Sequence, residues 1–223
     1  GKNFDQIIIL PLFPQYASAT NGSVIEESME VIKKWWVIPE INFVTQFYDE
    51  EFYLKGFEEQ GNKYNFKEYD HVLFSFHGLP ERHVDKVYDE GLCKDNDCEK
   101  GVSGANSFCY KASCYETAIQ LAKRFNLKDE DYSVGFQSRL GRGWIEPFSD
   151  EIITDLAKKG AKKLLVFSPA FVADCLETTI EIGDEYQELF EENGGEKVQL
   201  VQSLNSSDTF VEGLKNMVLK RSI

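Results

Sequence analysis

The sequence is short of positive charge and has no long hydrophobic run. Lysine and arginine number 24 against 38 aspartates and glutamates, which gives a formal net charge of −14. A chain this acidic repels phosphate backbones and anionic lipid headgroups, so binding to nucleic acid and polybasic docking on membranes are disfavoured. The longest apolar runs, such as Ile7–Leu12 and Leu164–Phe167, fall far short of the roughly 20 residues that a spanning helix needs.

Targeting and repetitive segments are missing as well. The start of the chain has no basic, apolar signal peptide, and neither an internal repeat nor a low-complexity tract is found. With 42% hydrophobic residues, the composition is that of a globular protein that buries a core. The chain begins at Gly1 and soon enters an apolar strand pattern, which favours a starting point inside a longer protein.

Short apolar runs alternate with amphipathic stretches along the whole chain, the pattern of a βαβ series. The predicted strands are Gln6–Leu12, Ile41–Phe47, His71–Phe76, Ser133–Ser138, Lys163–Ser168 and Lys197–Gln202. The predicted helices are Ser23–Trp36, Glu50–Asn62, Cys109–Phe125, Ser149–Lys159, Glu177–Glu191 and Asp208–Lys220. Several strands are apolar without alternation, which is typical of strands covered on both faces. The sequence therefore predicts an α/β fold with a doubly wound parallel sheet.

A long polar insertion, residues 78–108, separates a predicted strand from the helix that follows it. Such connections are usually much shorter. Four of the five cysteines fall in or beside the insertion with the spacing C-x4-C-x10-C-x4-C: Cys93, Cys98, Cys109 and Cys114. An odd cysteine count without a secretory signal argues against a disulfide framework. Four thiolates suit zinc or an iron–sulfur centre, and free buried thiols are the alternative.

His77 directly follows a predicted strand, at the point where the chain turns into Gly78 and Pro80. The carboxyl ends of parallel strands are where function usually lies. An imidazole there takes up protons near neutral pH or binds a metal through a neutral nitrogen. A histidine that only satisfies hydrogen bonds at a strand end is the alternative, and His71 and His83 are interpreted as strand-edge and loop residues.

A cluster of acidic residues follows the predicted strand at Lys163–Ser168. Asp174 comes first, and Glu177, Glu181 and Glu185 follow at the spacing i, i+4, i+8. On an α-helix this spacing forms one stripe. The stripe suits a relay that conducts protons or divalent cations toward His77, because carboxylates are hard ligands and hold protons readily when paired. A solvated acidic face has the same sequence, so the stripe alone does not decide.

Four further segments carry a resemblance to a known family. They are Leu12–Tyr16 with Gly22–Ser23, Phe74–Pro80, Gly135–Arg139 continuing to Trp144, and Pro169–Thr178. In this order they resemble the ferrochelatases, which insert ferrous iron into a porphyrin in haem biosynthesis. The resemblance extends over nearly the whole chain.

The resemblance implies two Rossmann-like, chelatase-like lobes with a porphyrin cleft between them, the first lobe being incomplete here. Residues 1–40 would be the last strand and helix of the amino-terminal lobe. Residues 41–205 would be the carboxy-terminal lobe, with the cysteine insertion at 84–114, and residues 206–223 a helix packing back on the first lobe. Because family members extend further before the point matching Gly1, we expect this segment alone to be inactive.

The resemblance also implies roles for individual residues. His77 would accept a pyrrole proton, and Glu177 would be its acidic partner across the porphyrin. Asp174, Glu181 and Glu185 would form a path for protons or iron. The residues implied to contact the porphyrin are Phe13, where the family commonly has tyrosine, Arg139, Trp144 and Phe171. Cys93, Cys98, Cys109 and Cys114 would bind a 2Fe–2S cluster, as in some bacterial members.

The expected ligands are therefore a porphyrin and ferrous iron, and no nucleic acid. The expected location is the cytoplasm, with peripheral contact at the inner membrane as an alternative. Two other functions stay open: a chelatase for a different metal, and an iron–sulfur or tetrapyrrole-binding module without catalysis.

Overall fold

The structure is a computed structural model, and it describes residues 4–222. Within these residues the strands form two parallel sheets. Strand β1 (Gln6–Ile9) pairs with β2 (Glu40–Phe43) in a two-stranded sheet. The second sheet has the order β4-β3-β5-β6, with β3 at His71–His77, β4 at Tyr132–Gln137, β5 at Lys163–Phe167 and β6 at Lys197–Leu200. The predicted α/β fold with parallel sheets is confirmed.

The described α-helices lie between these strands. They are α1 (Ser23–Ile32), α2 (Glu51–Gly61), α3 (Glu81–Asp85), α4 (Tyr110–Arg124), α5 (Ser149–Lys158), α6 (Tyr186–Glu192) and α7 (Asp208–Leu219). Two π-helices occupy Ser18–Gly22 and Glu177–Glu185. The helix predicted at Glu177–Glu191 is therefore a π-helix that continues as α6. Among the described residues, no helix has both the length and the apolar character needed to cross a bilayer.

The central strand β3 shows why its sequence is apolar without alternation. Phe74 and Phe76 belong to a core that packs on α2 and α4, where Phe57 and Leu121 are buried. Leu73 belongs to a second core formed with α5, α6 and the second π-helix. Since both faces of the sheet are covered by helices, apolar residues occur on both faces of β3, with the hydrogen-bonded Ser75 as a buried polar residue among them. Helices packed on both faces of the sheet therefore support the carboxyl end of this strand.

Helix α7, the last helix of the chain, packs against α2. The rings of Phe210 and Phe52 lie 6.0 Å apart, and the Thr209 hydroxyl donates to the Glu59 carboxylate. The Gln6 amide on β1 donates to the Arg221 carbonyl at 2.7 Å. Strand β2 pairs with β1, so the predicted boundary between residues 40 and 41 runs through the small sheet. The domain bounds at 1–40, 41–205 and 206–223 stay a prediction.

Candidate active site and cysteine group

A cavity of about 310 Å³ opens at the carboxyl ends of the sheets. Its walls are mostly aliphatic and aromatic, and they are formed by Phe13, Gln15, Ala17, Ala19, Thr20, His77, Leu79, Tyr110, Ala170 and Phe171. Three of the predicted site residues, Phe13, His77 and Phe171, therefore line one cavity. A mostly apolar pocket with a few polar groups is the usual form of a small-molecule site.

The hydrogen bonds of His77 define which ring nitrogen is available. Its Nδ1 lies 2.6 Å from the carbonyl oxygen of Gly78. A carbonyl only accepts, so in the neutral ring Nδ1 carries the proton and Nε2 carries the lone pair. The Tyr110 hydroxyl donates to the main-chain carbonyl of His77 at 2.8 Å. His77 is thus held from two sides, with Nε2 left as a proton acceptor.

Aromatic rings flank the His77 imidazole. The Phe171 ring centroid lies 6.1 Å from it in an edge-on arrangement, and the Trp144 centroid lies 6.5 Å from it. Residue 78 must be glycine for this packing, because a Cβ there would lie 2.8 Å from the Gln137 carbonyl oxygen and 3.2 Å from Trp144 Cε3. The chain therefore turns sharply after β3, and Trp144 closes over the turn.

Glu177 begins the second π-helix beside this group. Its own backbone N–H and the Cys175 thiol donate to the carboxylate, and with the charged form of His77 nearby they lower the pKa of Glu177. Burial and the same carboxylate raise the pKa of the Cys175 thiol. Glu177 is therefore stabilised as an anion, and its charge interacts with that of His77. The pairing of the two residues across a porphyrin stays a prediction.

Glu181 is the most heavily hydrogen-bonded of the predicted acidic residues. Its Oε1 accepts from the Ser138 backbone N–H at 2.7 Å and from the Tyr186 hydroxyl at 3.2 Å. Its Oε2 accepts from the Gln137 amide at 3.2 Å and from the Ser138 hydroxyl. Ser138 has a φ of 62°, which is unfavourable for a residue with a side chain, and Glu181 holds it there. The carboxylate thus fixes the end of β4.

The other two residues of the predicted path have different surroundings from those of Glu181. Asp174 accepts from the Ser203 backbone at 3.0 Å and from the Asn205 amide at 2.8 Å, on the loop after β6. Burial opposes its ionisation, but these hydrogen bonds outweigh it and lower the pKa of Asp174. Glu185 is exposed at the end of the π-helix. The continuous α-helical stripe expected from the sequence is therefore not what the structure contains.

Arg139 does not line this cavity. Its guanidinium pairs with Asp150 at 2.8 Å and Glu151 at 3.0 Å, and it lies 3.9 Å from the Phe148 ring centroid. These carboxylates stand in the first turn of α5, where a negative charge is favoured. Two of its five N–H donors are engaged in these ion pairs, and Arg139 does not line the cavity of His77. Its porphyrin contact stays a prediction.

Three residues that the sequence analysis did not select support the cavity. Tyr110 bonds His77, as described above. The Gln15 amide donates to Tyr53 Oη at 3.2 Å and to Thr117 Oγ1 at 3.0 Å. The Asn21 amide donates to the carbonyls of Phe13 and Thr45 at 3.0 and 2.8 Å. Gln15 lies within a segment that carried the resemblance, which was the available signal.

The insertion brings three cysteines together. The Sγ atoms of Cys93, Cys98 and Cys109 lie 3.6, 3.6 and 3.7 Å apart pairwise, and all three residues are buried. The Cys93 and Cys98 thiols donate to the Cys109 sulfur and lower the pKa of Cys109, whereas the same contacts raise the pKa of Cys93. Cys109 precedes the first turn of α4, where the Ala112 N–H also favours its thiolate.

Cys114, the fourth predicted ligand, does not join this group. Among the described residues, the group whose ligand atoms lie within 4.8 Å of one another consists of Cys93, Cys98 and Cys109. Cys114 is buried inside α4 beside the Tyr110 hydroxyl. A 2Fe–2S cluster uses two ligand pairs on two irons. The described sulfurs form a group of three instead of two pairs, and the predicted 2Fe–2S cluster is not confirmed.

Comparison with solved structures defines the class of fold. SirB from Bacillus subtilis, solved with Fe³⁺, matches with a TM-score of 0.62 at 13% identity over 97% of this chain and 71% of that one. CbiX, described as the terminal enzyme for biosynthesis of siroheme in denitrifying bacteria, matches with a TM-score of 0.56 at 12% identity over 99% and 78%. The molecule thus has the parallel α/β fold of the SirB and CbiX structures.

Sequence comparison then defines the family. The family model described as Ferrochelatase matches residues 1–222. A ferrochelatase of Ectopseudomonas mendocina (strain ymp) is 45% identical over 94% of this chain and 63% of its own length. One of Legionella pneumophila (strain Lens) is 40% identical over 97% and 65%. The chain belongs to the ferrochelatase family, and it spans just under two thirds of the length of these relatives.

Proposed function

We propose that the complete protein is a lyase that inserts ferrous iron into a porphyrin, with His77 as the acceptor of a pyrrole proton. The observation that carries this proposal is the state of His77 in its cavity. Nδ1 is occupied by the Gly78 carbonyl, Nε2 keeps its lone pair, and the surrounding wall is apolar and aromatic. The names of the relatives support the reaction class.

Metal insertion requires two pyrrole N–H protons to leave a macrocycle bent out of plane. A site that holds the bent form and accepts the protons stabilises the transition state over the flat ground state. We propose that Phe13, Trp144 and Phe171 contact the ring and that Nε2 of His77 takes the first proton. Glu177, as an adjacent anion, stabilises the imidazolium that forms and passes the proton outward.

The other acidic residues receive separate roles in this proposal, instead of one shared role in a relay. Four donors hold Glu181 in place, so its carboxylate positions Ser138 and the π-helix and has no oxygen free for a transient iron ion. Glu185 is exposed and suits the outer end of a proton or iron path. Asp174 fixes the loop after β6.

The test is iron insertion by the complete protein, because residues 1–223 span less than two thirds of the length of the relatives. Protoporphyrin and coproporphyrin are supplied in turn with ferrous iron, and metalloporphyrin is followed by absorbance. The His77→Ala variant should lose about 10²- to 10⁴-fold in rate, as expected for the loss of a general base. It should still bind porphyrin, which fluorescence quenching measures.

His83→Ala is the matched control, because His83 is a half-buried histidine on α3 that does not line the cavity. It should keep the parent rate. A His77→Ala variant with the parent rate would contradict the assignment. A parent protein that binds porphyrin but inserts no iron would favour the alternative of a tetrapyrrole-binding protein without catalysis.

For the cellular location, we propose the cytoplasm, with at most peripheral contact at the inner membrane. The acidic composition supports this assignment. Fractionation of cells that express the complete protein tests it, and retention in the membrane pellet after a salt and carbonate wash would contradict it.

A further inference from the structure

The three clustered thiols have the spacing of ligands around one metal ion. Zinc binds thiolates at about 2.3 Å in a tetrahedron, so two sulfurs on the same ion lie about 3.8 Å apart. The three observed separations of 3.6, 3.6 and 3.7 Å are close to this edge and nearly equal. They are also far longer than the roughly 2.05 Å of a disulfide.

We propose that Cys93, Cys98 and Cys109 bind a single zinc ion and that the protein does not hold a 2Fe–2S cluster on its four clustered cysteines. A 2Fe–2S cluster divides its four ligands into two pairs on two irons, whereas three nearly equal sulfur separations suit three ligands on one ion. Zinc is the divalent ion that three soft thiolates in a tetrahedral arrangement favour. The proposal does not depend on the proposed function.

The surroundings of the three sulfurs are those of a metal ligand set. The Tyr88 hydroxyl lies 3.2 Å from Cys98 Sγ, and the Asn106 amide donates to the same sulfur at 3.9 Å. The Cys93 backbone N–H donates to Asp85 Oδ1 at 2.8 Å. Partners of this kind orient ligands and tune their affinity for metal. They fix two of the three cysteines independently of the ion.

Among the described residues, no fourth histidine, cysteine or carboxylate has a ligand atom within 4.8 Å of all three sulfurs. A cavity of about 240 Å³ lined by Cys93, Asp85, Lys94 and Lys111 reaches the site from the surface. Cys93 is thus the ligand nearest to solvent, with 5% of its surface exposed, whereas Cys98 and Cys109 are fully buried. The cavity gives a metal ion a path to the sulfurs.

An ion at this place would join three separate pieces of the insertion. Cys93 and Cys98 each begin a short 3₁₀ turn, and Cys109 immediately precedes α4. The next residue, Tyr110, donates to the His77 carbonyl. The ion thus fixes the start of α4, on which the position of His77 depends. This is a structural role for the metal, separate from the iron that the proposed reaction consumes.

The test is the metal content of the purified full-length chain, measured by mass spectrometry together with acid-labile sulfide. We expect one zinc and no sulfide per chain. Cobalt added to the metal-free protein should give one equivalent of tetrahedral, sulfur-ligated absorption. Cys93→Ser, Cys98→Ser and Cys109→Ser should each lose the zinc, whereas the matched control Cys114→Ala should keep it.

A further variant avoids the risk that the serine variants fail to fold. Tyr88→Phe removes only a hydroxyl, and it should keep one zinc per chain while weakening affinity about 10- to 100-fold in a chelator competition. Two irons and two sulfides per chain, or loss of the metal from Cys114→Ala, would overturn the proposal. So would a metal-free parent that takes up neither zinc nor cobalt at one equivalent.

Discussion

The sharpest prediction concerns Glu181, because the relay interpretation and the positioning interpretation of this residue give different results. Glu181→Gln keeps the shape of the side chain but turns one acceptor oxygen into an N–H donor. The carboxylate now accepts from the Ser138 backbone on one oxygen and from the Gln137 amide on the other. The Ser138 and Tyr186 hydroxyls can rotate, but a backbone N–H cannot.

The Gln137 amide cannot turn either. Its NH₂ also donates to the Glu177 carbonyl at 2.9 Å, and its oxygen accepts from Ser75 at 2.8 Å. In either orientation of the new amide, one fixed donor therefore faces another donor. Leaving such a donor unsatisfied costs about 1–3 kcal/mol. We expect Glu181→Gln to lower the free energy of unfolding by about 2 kcal/mol.

The assay is urea unfolding followed by tryptophan fluorescence, with Glu185→Gln as the control. Glu185 lies one position further along the same sequence spacing but is exposed, so its change should stay within about 0.5 kcal/mol. A Glu181→Gln variant as stable as the parent would refute the positioning role. That result would favour the alternative interpretation, in which Glu181 belongs to a proton or metal relay.

Two further predictions concern the turn at Gly78 and the hydrogen bonds of Asp174. Gly78→Ala should destabilise the protein by about 1–3 kcal/mol, because the new methyl meets the Gln137 carbonyl oxygen at 2.8 Å, whereas Gly104→Ala, with open space around it, should not change the thermal midpoint detectably. Asp174 has a folded pKa below its unfolded value, so its stabilisation is present above about pH 4 and lost as the pH falls through the folded pKa. Urea midpoints measured from about pH 6 to pH 3 should therefore fall less steeply for Asp174→Asn than for the parent, and equal slopes would contradict the assignment.

The strands and most helices could be predicted because burial on both faces leaves a direct record in the sequence. Leu164–Phe167 is apolar at every position because β5 lies between β3 and β6 with helices on both faces. The sequence pattern does not distinguish the two π-helices from α-helices. A spacing of four between acidic residues suits an α-helix, and the side-chain pattern does not specify which carbonyl each N–H reaches.

The position of a candidate site residue could be predicted where a local motif determines the backbone. It could not be predicted where contacts between distant parts of the chain determine it. His77 follows from the end of β3 and the turn at Gly78. The ion pairs of Arg139 could not be predicted, because the sequence offers many carboxylates and only the fold brings this residue to α5. Cys114 lies within α4, whereas Cys109 precedes the helix, so the repeated spacing of five residues does not bring both sulfurs into the group of three.

The long insertion after β3 supports the candidate active site at the two ends of the connection. Long loops at the carboxyl ends of parallel strands usually supply site residues. Here, among the described residues, Leu79 lines the cavity at one end of this connection and Tyr110 lines it just beyond the other. The cysteines between them are buried against each other, and Cys109 adjoins the tyrosine that holds the His77 carbonyl. The insertion therefore helps to set the position of His77, the proposed proton acceptor, at the end of β3.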